Sequence, residues 1–190
     1  MTNFRKPTRE QVAQTYGGTV PDLIRPNLNI LFSGINPSLY SAAVGHHFAR
    51  PGNRFWPSLK AAGVTPRLFS PFEGALLLEL GCGITNVVDR ATATAEELSA
   101  VEMVEGGQAL VEKVHRFNPS IVAFLGITAY RAAFGRPRAT VGPQPDRIFD
   151  ARLWVLPNPS GLNAHYQLTD LGRLLAELWT ASQASMVSPP

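Results

Sequence analysis

Two asparagines that each follow a predicted strand are the residues of this chain best suited to chemistry. Asn36 stands in LFSGINPSLY (31–40) and Asn158 in WVLPNPSGLN (154–163). Each precedes a proline, which restricts its backbone to extended conformations and projects its short amide at a defined angle. An amide donates and accepts hydrogen bonds, so it can orient a water or bind a base edge, but it is no strong general base. Either loop alone is better explained as a plain turn, whereas the pair together indicates a site. Cleavage of an N-glycosidic bond fits such a site, because its oxocarbenium-like transition state needs a positioned water more than a deprotonated one.

The sequence NPS occurs a third time, at 118–120, and there it predicts only a turn. This copy follows a predicted helix and precedes a predicted strand. It therefore belongs at the opposite edge of the sheet from the other two.

Apolar runs that alternate with helical patterns predict the elements that must position these asparagines. Buried strands are predicted at 28–34, 121–126 and, as a hairpin or strand pair, 147–157, with a weak strand or irregular segment at 83–89. Helices are predicted over 53–63, 71–81, 106–117, 127–135 and 167–182, with capping boxes at 94–97 and 99–102 before the third.

Alternating strands and helices predict an α/β fold, a three-layer α/β/α sandwich around a central, mainly parallel sheet. In such folds, ligands bind outside the carboxyl ends of the strands. The loops that carry Asn36 and Asn158 both leave from carboxyl ends, so we expect them to lie side by side.

Length and composition indicate one domain. The 190 residues, of which 45% are hydrophobic, suffice for a single core, so we expect one domain over 1–190, with an arm at 1–26 and a flexible tail at 182–190. The apolar runs are shorter than the roughly 20 residues of a membrane span, and the polar start MTNFRKPTRE predicts no leader. We expect a cytoplasmic monomer with no membrane partner.

The cysteine and histidine pattern predicts no metal site. Cys82 is the one cysteine, which excludes an internal disulfide and any cluster held by several thiolates. His46 and His47 lack the spacing of a metal-binding pair and are better read as surface or phosphate-contacting groups.

The charge permits a nucleic-acid partner without requiring one. The net charge is +3, and 14 of the 17 basic residues are arginine, whose planar fork suits phosphate. Genomic composition bias explains the arginines equally well.

Phe48 lies in GHHFARPGNRFW (45–56), a stretch rich in glycine and proline. An aromatic there is a candidate platform on which a base stacks. The alternative is a loop aromatic packed into the core.

Four motifs together resemble the mismatch-specific uracil-DNA and thymine-DNA glycosylase family of the uracil-DNA glycosylase superfamily, its bacterial members in particular. They are GINPS, GHHFARPGNRFW, CGITNVVDR and LPNPSGLN, and the resemblance runs from about 28 to 180. It implies a monofunctional enzyme without a cofactor, acting on double-stranded DNA. The implied reaction removes uracil, and damaged pyrimidines such as ethenocytosine, from mispairs with guanine and leaves an abasic site.

The resemblance also implies residue roles. Asn36 would place the attacking water, Phe48 would lie under the flipped base, and Leu162 would fill the vacated stack. The implied base pocket is Gly34, Ile35, Ser41, Phe48 and Asn158. The implied wedge and phosphate contacts are Ser38, His47, Ser160, Gly161, Leu162 and Asn163.

Several residues depart from the family pattern. Ser38 stands where glycine is more common, and Ser41 stands where relatives that accept thymine tend to carry alanine. Ala164 replaces an arginine common in bacterial members, so readout of the orphaned guanine would pass to Asn163 or His165. Asn86 stands where some relatives have lysine.

Asp89 is a carboxylate with two interpretations. It forms an ion pair with Arg90 or caps a helix, or it is a second catalytic group that stabilises the cationic sugar or polarises the water.

Another class of protein is the main alternative: a nucleotide- or nucleic-acid-binding α/β module without chemistry. The stretch GCGITN (81–86) superficially resembles a dinucleotide loop, but it lacks the third glycine and a long preceding strand. The iron–sulfur branch of the superfamily is excluded by the single cysteine.

Overall fold

The structure, a computed structural model, describes residues 6–187, with side chains described through residue 184. The strands are β1 Ile30–Gly34, β2 Cys82–Asn86, β3 Ile121–Leu125, β4 Gly142–Ile148 and β5 Ala151–Leu156. The helices are α1 Arg9–Ala13, α2 Leu39–Val44, α3 Phe55–Ala61, α4 Leu76–Glu79, α5 Ala100–Phe117, α6 Ile127–Phe134 and α7 Leu168–Val187. Two 3₁₀ turns cover Pro71–Glu73 and Ala95–Glu97.

The five strands form one sheet in the order β2-β1-β3-β5-β4. Strands β2, β1, β3 and β5 are parallel, and β4 pairs antiparallel with β5 at one edge. From β1 the chain passes to β2 on one side and then crosses to β3 on the other. This reversal places a crevice at the carboxyl ends of β1 and β3, where open α/β sheets bind ligands.

Successive residues of the central strands pack alternately into two separate hydrophobic cores, one on each face of the sheet. In β3, Ala123 and Leu125 face a core shared with α3 and α7, whereas Val122 and Phe124 face a core shared with α5 and α6. A strand buried on both faces must be apolar throughout, which is why its sequence is a continuous apolar run. The predicted three-layer α/β/α sandwich around a mainly parallel sheet is confirmed.

Local signals explain where several elements begin and end. Ser99 and Glu102 form the capping box that starts α5, six residues before the predicted helix start. Asn118 ends α5 in the left-handed conformation, so the middle NPS is a helix stop at the amino edge of β3, as predicted. The hairpin predicted over 147–157 is present as β4 and β5, joined by Phe149 and Asp150, but β4 begins at Gly142, five residues before the predicted range.

Several elements differ from the prediction, among them helix α1, which lies within the predicted arm. The helix predicted over 71–81 is a 3₁₀ turn followed by the single turn of α4, in which only Leu77 is buried. Helix α2 was not predicted, because its six residues are too few to show a periodic pattern, although Ser38 caps its start and Gly45 its end.

The predicted arm and the predicted tail both contain residues that belong to the folded unit. Leu23, in the predicted arm, pairs with Ile84 of β2 through two backbone hydrogen bonds. Helix α7 continues to Val187, and Ser182 is buried, so residues 182–187 are helical where a flexible tail was predicted. Residues 1–5 and 188–190 lie outside the described residues. None of the helices in residues 6–187 is long and apolar enough to cross a membrane.

Candidate active site

A cleft of about 730 Å³ opens at the carboxyl ends of the parallel strands. The sequence-predicted site residues that line it are Ile35, Asn36, Ser38, Ser41, His47, Phe48, Asn158, Ser160, Leu162 and Asn163. The loops after β1 and β5 therefore meet in one cleft together with the loop over 45–54, called the aromatic loop here because it carries Phe48. Gly34, Gly161 and Asp89 do not line it.

The amide of Asn36 is held in one orientation by the loop that follows β2. Its Nδ2 donates to Arg90 O at 2.9 Å and to Thr92 Oγ1 at 2.7 Å. The buried Thr92 hydroxyl donates its proton to Thr94 O at 2.7 Å, so its oxygen can only accept a hydrogen bond from Asn36. Arg90 O and the Thr92 hydroxyl oxygen both require donors, so the amide nitrogen of Asn36 must face them. The amide oxygen, Oδ1, therefore remains free to accept a hydrogen bond in the cleft.

Gly34 lets Phe48 and Asn86 approach the end of β1. A Cβ at Gly34 would lie 2.5 Å from Asn86 Oδ1 and 3.2 Å from Phe48 Cζ. Asn86 is only 3% exposed and lines the cleft, and its side-chain amide makes no hydrogen bond within the described part of the chain. An amide that lines the cleft and has no protein partner is available to bond a ligand. Phe48 and Asn86 thus form a subsite with one flat apolar wall and one polar edge.

Phe48 is held in an unusual backbone conformation. Its φ is 53°, in the left-handed region that non-glycine residues rarely adopt at a cost of about 1–3 kcal/mol. Ser41 Oγ, which is buried, accepts a hydrogen bond from Ala49 N at 3.2 Å and contacts Ser38 Oγ at 3.1 Å. The Phe48 ring lies 4.2 Å from that of Phe55, centroid to centroid. Packing and the Ser41 bond therefore fix the ring at the cleft wall.

The loop after β5 is shaped by its own polar side chains. Asn158 Oδ1 accepts from Ser160 N at 2.9 Å, which closes a turn, and Asn163 Nδ2 donates to Asn158 O at 3.0 Å. Ser160 Oγ accepts from Leu162 N at 3.3 Å. Leu162 stands at the tip of this turn with 74% of its surface exposed, an unusual exposure for a large apolar side chain.

Asp89 does not join the site, which removes the basis for a second catalytic group there. Its carboxylate is 58% exposed and pairs with Lys113 Nζ at 3.3 Å. Arg90, the expected partner, instead pairs with Glu102 at 2.8 Å. That bond is the main reason the pKa of Glu102 falls to about 2.

His47 does not suit the phosphate contact predicted for it, because the residue is only 4% exposed. Its Nε2 lies 3.0 Å from Pro21 O and must donate to that carbonyl. Burial lowers the pKa of His47, which keeps the ring neutral. Its backbone carbonyl accepts from Trp56 Nε1 at 3.2 Å, so the residue ties the arm to the core.

Other reactive groups contribute little to the cleft. Of the described residues that line it, Glu96 alone carries a carboxylate, and it lies in the exposed 3₁₀ turn. Cys82 is buried, which raises the pKa of its thiol to about 12 and leaves it a poor nucleophile. Across residues 6–187 no group of three His, Cys, Asp or Glu side chains could hold a metal ion.

Sequence reasoning gave no role to Thr92, Asn86 or Arg54. Thr92 orients Asn36, Asn86 faces the cleft, and Arg54 donates to carbonyls of the loop after β5. For Asn86 a signal existed, since a polar residue ends a buried strand beside the site. The other two act through partners 56 and at least 106 residues away, which no local pattern reveals.

Fold and site together define an α/β protein with a cleft at the carboxyl edge of a mainly parallel sheet. The family model of the uracil DNA glycosylase superfamily matches residues 21–181, and the chain belongs to that superfamily of DNA glycosylases. The structure is similar to the solution NMR structure of a candidate uracil DNA glycosylase from Methanosarcina acetivorans. That likeness has a TM-score of 0.57 and 18% sequence identity, over 86% of this chain and 98% of the other, and it shows a shared fold.

Proposed function

We propose that this protein is a monofunctional glycosylase that flips uracil out of U·G mispairs in double-stranded DNA and hydrolyses its N-glycosidic bond. The products are free uracil and an abasic site. Superfamily membership supports glycosylase chemistry. The observation that carries the proposal is the orientation of Asn36, whose Nδ2 is bound to Arg90 O and Thr92 Oγ1, so that Oδ1 is available to a water.

The reaction needs little base catalysis. In an oxocarbenium-like transition state the bond to the leaving base is largely broken before water adds, so the sugar is already a strong electrophile. An amide oxygen that accepts one hydrogen bond from the water fixes its approach to the anomeric carbon. Water is the only co-reactant, and the chemistry calls for neither metal nor cofactor.

The Phe48 and Asn86 subsite suits a pyrimidine in shape and polarity. Stacking on an aromatic ring is worth about 1–3 kcal/mol per base. The Asn86 amide can donate to a uracil carbonyl and accept from the neighbouring imino N–H. The subsite also admits related damaged pyrimidines such as ethenocytosine, which we propose as additional substrates.

Leu162 is the proposed wedge. Its exposed side chain can occupy the space that the flipped nucleotide leaves, which offsets part of the few kcal/mol lost on unstacking. The amide of Asn163 is bonded at both ends, to Asn158 O and His165 N. Readout of the orphaned guanine therefore falls to the exposed His165 at the same rim.

A panel of DNA substrates tests the proposed function. Duplexes with U·G, T·G, U·A and ethenocytosine·G, and a single-stranded uracil strand, are incubated with enzyme and then treated with alkali. We expect strand breaks at uracil, fastest for U·G. Absence of breaks in every substrate across a range of enzyme concentrations would refute the glycosylase and leave a non-catalytic DNA- or nucleotide-binding module.

A further inference from the structure

Arg54 joins the aromatic loop to the loop that carries Leu162. Its Nη1 donates to Tyr166 O at 2.5 Å, and its Nη2 donates to Asn163 O at 2.8 Å and to Ser160 O. These carbonyls bracket Leu162 on both sides. We infer that Arg54 is a positioning residue for the wedge, an inference that rests on the proposed function.

The chemistry of the three carbonyls explains why an arginine is used. The loop over 157–166 belongs to no strand or helix, so its carbonyls lack the regular backbone donors of such elements. Ser160 O accepts from Asn163 N within the loop, whereas no backbone donor among the described residues reaches Asn163 O or Tyr166 O. A guanidinium supplies several N–H groups in one rigid plane, whereas a lysine ammonium is a single point of donation. None of the ion pairs found in the described part of the chain includes Arg54. Its hydrogen bonds therefore serve the loop and not a carboxylate.

The backbone reinforces the same junction. Arg54 N donates to Pro159 O at 2.9 Å. A Cβ at Gly161 would lie 2.6 Å from Gly52 O, so the two loops touch where only glycine fits. Phe48 and Leu162 are therefore held at a fixed spacing. Base flipping requires the flipped base to stack on Phe48 while the wedge occupies the vacated stack. The distance between Phe48 and Leu162 must therefore suit both contacts at once.

The test is Arg54→Lys, which keeps the charge and removes the fork. Arg131→Lys is the matched control, because Arg131 is also half-buried and donates to a loop carbonyl, Ala139 O at 3.1 and 2.6 Å. Ala139 lies outside the cleft, whereas Ser160 and Asn163, which Arg54 binds, line it. The DNA probe is a duplex with 2′-fluoro-2′-deoxyuridine opposite guanine, which binds but resists excision because fluorine disfavours the cationic transition state. We expect Arg54→Lys to raise the Kd for this duplex roughly tenfold. The Kd of Arg131→Lys should equal that of the wild type.

A double mutant separates positioning from general destabilisation. In a Leu162→Ala background, Arg54→Lys should change the Kd by about twofold or less, because the side chain it positions is gone. Gly161→Ala, which leaves Arg54 in place but forces the loops apart, should reproduce the Arg54→Lys effect. A full tenfold loss in the Leu162→Ala background, or an unchanged Kd in Arg54→Lys, would overturn the inference.

Hydrogen exchange of the backbone amides over 158–166 gives a readout that needs no DNA. We expect faster exchange there in Arg54→Lys than in wild type or Arg131→Lys. Should the wild type excise no uracil, the proposed function fails, and the exchange data still decide whether Arg54 orders the loop. Unchanged exchange would contradict that role independently of any activity.

Discussion

At Asn36, the surroundings of the amide matter as much as the residue type. An amide that can flip presents either end to the cleft, and only the oxygen can accept from an attacking water. The chain of bonds from Asn36 Nδ2 through Thr92 Oγ1 to Thr94 O removes that ambiguity. Asn86 plays the complementary part, since its amide has no protein partner in the described residues and lines the cleft, where a ligand can bond it.

Replacing Asn36 with Asp should introduce a pH dependence. A carboxylate cannot donate to Arg90 O, so this contact favours the protonated acid and raises the pKa of the new residue above the usual value of about 3.9. Ionisation then places a negative charge beside a developing cation. We expect single-turnover excision by Asn36→Asp to rise with pH through that pKa while the wild type stays flat. A flat profile for Asn36→Asp would show that this side chain does not face the reacting sugar.

Ser41 should favour uracil over thymine. Its hydroxyl is buried at the cleft wall and is committed to Ala49 N and Ser38 Oγ, so it cannot move away from a C5 methyl. We expect U·G duplexes to be cleaved much faster than T·G duplexes under single-turnover conditions. Equal rates for the two would remove Ser41 from the specificity of the pocket.

At the scale of elements, the residues to which we assign roles lie on loops that strands hold in place. Asn36 follows β1, Thr92 follows β2, and Leu162 follows β5, all at the carboxyl edge of the sheet. The rigid sheet fixes where each loop begins, and polar side chains such as Asn158 fix how each loop turns. The proposed functional residues therefore lie on loops, where the backbone is not bound into the hydrogen-bond ladder of the sheet.

Leu162→Ala should weaken DNA binding without affecting the fold. Loss of one wedge contact is worth roughly 1–3 kcal/mol, measured as the Kd for a U·G duplex. Leu162 is 74% exposed, so the melting temperature should not change. Leu68→Ala, at a leucine that is 56% exposed and outside the cleft, is the matched control. Equal Kd values for wild type and Leu162→Ala would exclude the leucine from the interface.

The sequence predicts elements well where one rule dominates. Strands β3 and β5 follow from apolar runs, whereas β4, with the sequence GPQPDRI, begins before the predicted strand pair. The capping box at 99–102 marks the start of α5, although the periodic pattern placed that start six residues later. Strand β2 is harder to predict because Thr85 and Asn86 are polar yet buried, which burial in a sheet normally disfavours. Arg54 cannot be assigned from sequence, since the carbonyls that it binds are 106 to 112 residues away.

At the scale of the whole molecule, the order of the strands decides where the cleft lies. The reversal between β1 and β3 opens the crevice, and the flanking loops convert it into a site. The arm closes one side through Leu23, which bonds to β2, and through Pro21, which bonds to His47. Residues 21 and 23 of the arm are thus part of the folded unit. Because Pro21 is bound by a histidine, the free energy of unfolding should depend on pH.

His47 should make the protein less stable in mild acid. Burial lowers its pKa below the unfolded value of 6.5, an effect partly offset by the bond to Pro21 O and by Asp22. Below pH 6.5 the unfolded chain therefore binds more protons than the folded one, and the free energy of unfolding falls as pH falls. Urea unfolding from pH 7.5 to pH 5 should show a smaller slope against pH for His47→Gln than for wild type. Identical slopes would mean that His47 titrates normally in the fold.

The most direct test of the account is single-turnover excision of uracil from a U·G duplex by wild type and Asn36→Ala. We expect Asn36→Ala to keep its affinity for DNA, because phosphate contacts and the wedge supply most of it. Its excision rate should fall by about 10²–10³, the usual loss for one preorganised polar group in a transition state. Glu96→Gln, at the one carboxylate found among the described cleft residues, should retain the wild-type rate. Excision by Asn36→Ala as fast as wild type, or its loss in Glu96→Gln, would contradict a mechanism in which an oriented amide positions the water.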